Sequence, residues 1–237
     1  MIKCLTFDLD DTLWPVVPVI EHMDKTLYSW LEANAPAYTD AFSPCHFSEM
    51  RSRISKEYPQ LAHSVTSVRL KGLELGLLEA GYCYTRSTEL ADSAFEVALA
   101  ARQEVSYFEH TWAVLDALRE AGYRMGAISN GNADIHRVGL SEHFDFQYNA
   151  HDLGVEKPDP YVYQQVLQRE GLAPSQVIHI GDNPVADVLG AQQLGIATIW
   201  VNVIGQQWRH QHRADAEIDC LSELPGAVAK LHPKGET

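Results

Sequence analysis

Cys4-Leu5-Thr6-Phe7-Asp8-Leu9-Asp10-Asp11-Thr12-Leu13 is the stretch around which the chain is organised. Its first residues are a short apolar run of β-formers that ends abruptly in carboxylates, the pattern of a buried strand with acidic residues at its carboxyl end. Open α/β sheets bind their ligands along that edge. Asp8 and Asp10 are two apart, so on extended backbone both side chains lean the same way and crowd their negative charges. A hard divalent cation with oxygen ligands, Mg2+ beside a phosphate, relieves that crowding. Taken alone, Asp-Asp-Thr is equally compatible with a turn or a helix N-cap after an edge strand.

Composition narrows the classes. With 237 residues, 46% of them hydrophobic, the chain can bury a real core in one large domain or two modest ones. No stretch approaches the roughly 20 uninterrupted apolar residues of a membrane span, and no basic region followed by an apolar signal core opens the chain, so a cytoplasmic protein is expected. Cys4, Cys45, Cys83 and Cys220 are scattered without a Cys-x-x-Cys pair, so they are expected to be reduced, buried small hydrophobes and not a zinc site or disulfide framework. A formal net charge of −14 argues against nucleic acid or an anionic membrane as partner, both of which need a basic footprint. An anionic substrate must be drawn in by local cations against the overall field.

After the first strand, Trp14-Pro15-Val16-Val17-Pro18 breaks regularity and opens a strand-free stretch to about Val105. Apolar residues recur there at helical spacing: Ile20, Met23, Leu27, Trp30 and Leu31; Leu70, Leu73, Leu77 and Leu78; Ala94, Val97, Ala98 and Ala101. Residues 16–105 therefore read as a helical insert, of roughly four helices, and residues 1–15 with 106–237 as the α/β core. Beyond His110 helix and strand alternate: a helix Trp112 to Ala121, a strand Tyr123 to Ile128, a short helix, a weak strand near Phe146 to Asn149 and a helix Tyr161 to Glu170. A strand Val177 to Ile180, a helix Val185 to Leu194 and a strand Ala197 to Val201 follow. The alternation predicts a parallel, doubly wound sheet with the helical insert as a cap.

Each of three predicted strands ends in polar groups: Asp8 and Asp10, then Ser129, then Asp182 with Asp187 shortly beyond, while Lys157 lies in the loop after the weak strand. A parallel sheet gathers all its carboxyl ends on one edge, so these residues should converge. Together they supply what phosphoryl transfer needs: a nucleophilic carboxylate, a proton donor, a hydroxyl and an ammonium for phosphate oxygens, and carboxylates for a metal.

In this respect the chain resembles the haloacid dehalogenase-like hydrolase superfamily, whose Asp-x-Asp-x-Thr, Ser/Thr, Lys and Gly-Asp-x-x-x-x-Asp motifs match Asp8 to Thr12, Ser129, Lys157 and Gly181 to Asp187. The insert looks like that family's type-one cap. The resemblance implies that Asp8 attacks phosphorus and becomes an aspartyl-phosphate, and that Asp10 protonates the leaving alkoxide and then activates water. It further implies that Ser129, Asn130 and Lys157 hold the phosphoryl group and that Thr12, grouped with them, fixes the loop. Mg2+ would be ligated by Asp8, the Asp10 carbonyl and Asp182, with Asp187 ligating directly or orienting the other ligands. The expected partner is a small phosphorylated metabolite, and the chain a monomer or homodimer. A 2-haloacid dehalogenase would release halide and leave Asp10 idle, and a phosphomutase would shield the same intermediate from water. A non-enzymatic switch phosphorylated on aspartate would lack so large an insert. The Asp-Leu-Asp-Asp-Thr-Leu form is similar to bacterial phosphatases of sugar phosphates, nucleotides or the ribitylaminopyrimidine phosphate of riboflavin synthesis, the last being preferred.

Other groups carry blander expectations. His179 inside an apolar strand reads as a satisfied core histidine, Asp11 as a surface or capping residue, and Trp208 to Arg213 as a solvated loop. Arg51, Arg53, Lys56, Arg69 and Lys71 read as helix-face salt bridges before substrate readers. Trp14 should pack where cap meets core and not on substrate.

Overall fold

The computed structural model describes residues 1–232; the tail Pro233 to Thr237, expected to fray, lies outside them. The chain divides into two compact units, Met1–Pro15 with Ser106–Thr237, and Val16–Val105.

Among the described residues the first unit is built on six parallel strands: β1 Cys4–Phe7, β2 Arg124–Ser129, β3 Phe146–Asn149, β4 Val177–Gly181, β5 Ala197–Val201 and β6 Ala216–Ile218. β1 and β4 are buried at every position, as parallel strands covered on both faces must be. The strand order is β3-β2-β1-β4-β5-β6. From β1 the chain builds outward through β2 and β3, then crosses to the other side for β4. The order thus reverses between β1 and β4, and a crevice opens at the carboxyl ends beside such a reversal. Asp8 and Asp182 follow those two strands directly. Phe7 sits opposite Ile180, and the Asp8 amide donates to the Ile180 carbonyl at 2.8 Å.

In the second unit α1 Val16–Asn34, α2 Pro36–Ala41, α3 His46–Glu57, α4 Val65–Glu79 and α5 Tyr84–Ala101 are five helices where about four were expected. Pro36 accounts for the difference, because at the first position of α2 it opens a short helix instead of only ending one. Val19, Met23, Leu27 and Leu31 form the buried stripe of α1. They join Leu73 and Leu77 of α4 and Leu90, Ala94 and Ala98 of α5 in one cluster, each leucine worth about 2–3 kcal/mol by burial. Met50 and Ile54 of α3 pack with Val68 of α4 in a smaller one. Of the basic residues, Arg53 pairs with Glu57 and Glu79, Arg69 with Asp24 and Lys71 with Glu74, all inside this unit.

The helices of the first unit are α6 Thr111–Glu120, α7 Ala150–Leu153, α8 Pro160–Glu170, α9 Gly190–Gln192 and α10 Leu224–Leu231. Two expectations need correction, and two elements stand where none was expected. The short helix expected between Gly131 and Phe146 is not formed: residues 135–139 make only turns, with the Asp134 carboxylate taking the His136 amide and Gly139 at φ +92. The helix expected from Val185 to Leu194 begins as a wider π-type segment, Pro184–Leu189, before α9. And β6 and α10 went unforeseen, although Pro225 at the start of α10 was a legible sign. Cys4 is buried, but Cys45 and Cys83 are exposed and Cys220 is half-buried, so only one of the four cysteines is the core residue expected; all are free thiols. Among the described residues no helix is long and apolar enough to cross a membrane.

Candidate active site

The carboxyl edge of the sheet carries a cleft of about 190 Å³ lined by Asp8, Asp10, Asp11, Ser129, Asn130, Lys157, Asp182 and Asp187 among others. Residues up to 179 positions apart in sequence are brought together by strand topology alone.

Lys157 is the hub. Its ammonium donates to Asp8 Oδ1 at 2.7 Å, Asp187 Oδ1 at 2.6 Å and the Ile128 carbonyl at 2.6 Å. The lysine is placed by its own main chain, because the Asn130 amide accepts from the Lys157 N–H at 2.8 Å and donates to the Lys157 carbonyl at 2.9 Å. Asn130, grouped above with phosphate binding, thus spends its side chain on locking the lysine loop. Ser129 is buried and its Oγ accepts from the Gly131 amide at 3.0 Å, which aims the hydroxyl within the cleft wall.

On the opposite wall, Thr12 and Asp182 bind each other twice. The Thr12 hydroxyl donates to Asp182 Oδ1 at 3.2 Å and accepts from the Asp182 amide at 3.1 Å. Thr12 is fully buried, so it fixes the loop and cannot reach a substrate, which corrects its placing among phosphate-binding residues. The Trp200 indole donates to the Asp182 carbonyl at 2.6 Å and holds the same loop from β5. Asp11, at φ 56, takes the left-handed conformation that lets the chain turn back after β1.

Asp187 is buried with both oxygens engaged. Oδ1 faces Lys157 and His179, the latter at 3.2 Å, and Oδ2 accepts the Asn183 amide at 2.8 Å. Gly181 makes room for it: a Cβ there would lie 2.3 Å from Asp187 Cγ. The Asn183 side chain caps the π-type segment by accepting from the Val185 and Ala186 amides, both at 2.9 Å. Such wide turns recur where a side chain must be re-aimed at a site. His179 is buried and its Nδ1 lies 2.9 Å from the Thr6 hydroxyl. Because a carboxylate can only accept, the tautomer assigned from the partners puts the proton on Nε2, and Nδ1 accepts from Thr6. The core histidine expected from sequence is therefore satisfied, and it is also wired to the cleft, a link that sequence did not reveal.

The charges do not balance. Burial pushes the Asp8 carboxyl well above its ordinary range; Lys157 opposes this, and Asp187 and Asp182 reinforce it. Burial, Asp187 and Asp11 push Asp182 up to about 7, against the Thr12 hydrogen bond. Asp187 goes the other way, because Lys157 and His179 outweigh its burial and hold it well below the ordinary range. Lys157 would be lowered by burial, but Asp187 and Asp8 raise it. Burial pushes His179 down, so it adds no charge. One ammonium faces three buried acids and bonds two of them, Asp8 and Asp187. The two carboxyls left with raised values, Asp8 and Asp182, are those a divalent cation would neutralise. Carboxylate oxygens of Asp8, Asp182 and Asp187 lie within 4.8 Å of one another, a hard-oxygen set that fits a small divalent cation. With both Asp187 oxygens already accepting hydrogen bonds, Asp8 and Asp182 are the freer ligands.

Asp10 lines the same cleft, and its Oδ1 accepts from the Trp14 indole N–H at 2.9 Å. Trp14 is buried and meets Tyr107 edge-on at 5.3 Å. The loop Trp208 to Arg213 contributes no residue to the cleft; Trp208 packs on Trp200 at 4.9 Å between ring centroids.

A family model of haloacid dehalogenase-like hydrolases matches residues 2–195. The chain is 27% identical over 231 residues to the 5-amino-6-(5-phospho-D-ribitylamino)uracil phosphatase YigB of Escherichia coli, covering 96% of each chain. It is 28% identical over 224 residues to the phosphoserine phosphatase of Thermus thermophilus, covering 84% of this chain and 88% of that one. Among solved structures, a 2-haloacid dehalogenase from Pseudomonas syringae pv. Tomato is 40% identical with a TM-score of 0.90, covering 97% of this chain and 99% of that one.

Proposed function

The chain belongs to the haloacid dehalogenase-like hydrolase family, and on that footing we propose that it is a Mg2+-dependent phosphomonoesterase working through an aspartyl-phosphate on Asp8. The observation that carries this reading is Asp10, a second carboxyl in the same cleft as the Asp8–Lys157 pair. An alkoxide is a strong base and leaves readily only when protonated, whereas a halide leaves unprotonated. A carboxyl fixed two residues beyond the nucleophile has work to do in the first reaction and none in the second. The names of the phosphatase relatives support the same reading.

The proposed cycle balances. Asp8 attacks phosphorus, the bond from phosphorus to the ester oxygen breaks, and the Asp10 carboxyl gives its proton to the departing alkoxide. The Asp10 carboxylate then takes a proton from a water that attacks the aspartyl-phosphate, releasing inorganic phosphate and restoring Asp8. Lys157 holds Asp8 and offers positive charge to the phosphoryl oxygens; Ser129 donates its hydroxyl to one of them. A divalent cation on Asp8 and Asp182, with the Asp10 carbonyl, would neutralise both carboxyls and take up charge developing on the phosphoryl group. Asp187 holds Lys157 in place and keeps it charged. The helical unit Val16–Val105 is, in this reading, the cap, and the substrate is a small phosphorylated metabolite, a ribitylaminopyrimidine phosphate being the preferred candidate.

A second reading is favoured by one observation, the 40% identity to a structure described as a 2-haloacid dehalogenase. There Asp8 would attack C2 of a 2-halo acid, the carbon–halogen bond would break with loss of halide, and water would hydrolyse the ester to the 2-hydroxy acid. The test is a paired assay. Phosphate release from an aryl phosphate that stops on chelation and returns with Mg2+ is expected; chloride release from 2-chloropropionate that persists in excess chelator would overturn the phosphatase reading.

A further inference from the structure

Trp14 sits four residues beyond Asp10 in a loop at the edge of the sheet, yet none of its surface is exposed. Large aromatic side chains on such loops usually pack with the polar edge turned to water. Here the edge is turned inward: the indole Nε1 donates to Asp10 Oδ1 at 2.9 Å. The backbone reinforces the pairing. Asp10 and Trp14 form an isolated parallel bridge, and the Asp11 amide donates to the Trp14 carbonyl at 2.7 Å. The indole is itself held. Its ring meets Tyr107 edge-on, and the Tyr107 hydroxyl donates to the Val138 carbonyl at 2.8 Å. The preceding residue is tied as well, the Leu13 carbonyl accepting from the Phe108 amide at 2.9 Å and from the Thr111 hydroxyl at 3.3 Å.

A short carboxylate on a turn ordinarily samples several rotamers. A proton donor is useful only when held within about half an ångström of the departing oxygen, and a misplacement of about 1 Å costs about 100-fold. One oxygen of Asp10 accepts from the indole N–H, which restrains the rotation of the carboxyl. We propose that Trp14 is a positioning residue for Asp10, whose indole N–H holds the carboxyl where it can protonate the leaving group. This rests on the phosphomonoesterase reading, in which Asp10 carries that proton. Packing alone would need the ring and not the N–H.

The test compares kcat/KM of the full-length protein and Trp14→Phe with Mg2+, over p-nitrophenyl, phenyl and alkyl phosphates. kcat/KM reports the step in which Asp8 displaces the leaving group. The expected loss is under about 3-fold for p-nitrophenyl phosphate, whose leaving group needs no proton, and about 10- to 100-fold for the alkyl ester. In an Asp10→Asn background the same substitution should remove less than about 2-fold further, because the group it positions is already gone. Should Trp14→Phe fold poorly, benzothienylalanine placed at position 14 keeps the ring shape and removes only the N–H, and the same slope is expected. An equal loss across all leaving groups, or a full additional loss in the Asp10→Asn background, overturns the proposal. The two layers separate cleanly: a parent protein that releases no phosphate from any ester removes the phosphomonoesterase reading and this one with it. A parent that does so while the variant shows a flat profile removes only the role of Trp14.

Discussion

Lys157 and Asp187 meet at 2.6 Å with 2% of each side chain exposed. Removing one member of a buried pair strands the other, so Asp187→Asn is expected to cost about 3 kcal/mol of stability. Urea denaturation checks this; an unchanged midpoint would mean that Asp8 alone suffices to hold the ammonium.

The acid excess predicts how a metal-free protein responds to pH. Asp182 is raised to about 7 from an ordinary 3.8. A carboxyl raised by folding stabilises the fold fully below its unfolded value, and that contribution is lost as pH climbs through the folded one. In chelator the protein should therefore lose about 2–4 kcal/mol between about pH 4 and about pH 8. Asp8, raised for the same reason, adds in the same direction. Mg2+ at about pH 8 should restore the loss by binding the folded state. A metal-free stability that rises with pH over this window would refute the charge count.

Thr12 contributes only its hydroxyl to the Asp182 loop, since the residue is fully buried. Thr12→Val keeps the shape and leaves the Asp182 amide without its acceptor, for an expected cost of about 1–3 kcal/mol. Mg2+ affinity, read by calorimetry, should fall about 10-fold or more, as when an outer partner of a metal ligand is lost. Unchanged affinity would separate this loop from the metal site.

For Asp10→Asn the expected defect in kcat/KM is about 100- to 10,000-fold with alkyl phosphates and far smaller with p-nitrophenyl phosphate. A series of leaving groups measures it. Equal loss across the series would deny Asp10 the part of proton donor.

What the sequence could and could not reveal follows from the reach of each interaction. The strand before Asp8, the alternation after His110 and the helical stripe of α1 were legible, because burial imposes a period that composition records. The meeting of Asp8, Lys157 and Asp182 on one edge was legible too, since parallel topology fixes which strand ends are neighbours. The three-residue strand β6 was too short to carry a pattern. The links from Trp14 to Asp10, Trp200 to Asp182 and His179 to Asp187 depend on rotamers and on register between strands, as where Gly181 lies opposite Trp200. No local pattern encodes them. Thr12 does not belong among phosphate ligands for the same reason: its type fits, but its side chain is buried and engaged with Asp182, and the tie between the Asn130 side chain and the Lys157 main chain is equally invisible to any local pattern.

The central claim is covalent, and the most direct measurement is the mass of the peptide carrying Asp8 after acid quenching during turnover of a phosphomonoester with Mg2+, beside a parallel quench with 2-chloropropionate. The account predicts one added phosphoryl group on Asp8 in the first sample, absent from Asp8→Asn, and no adduct in the second. An unmodified Asp8 in the first sample, or a carboxyalkyl ester on Asp8 in the second, would contradict it.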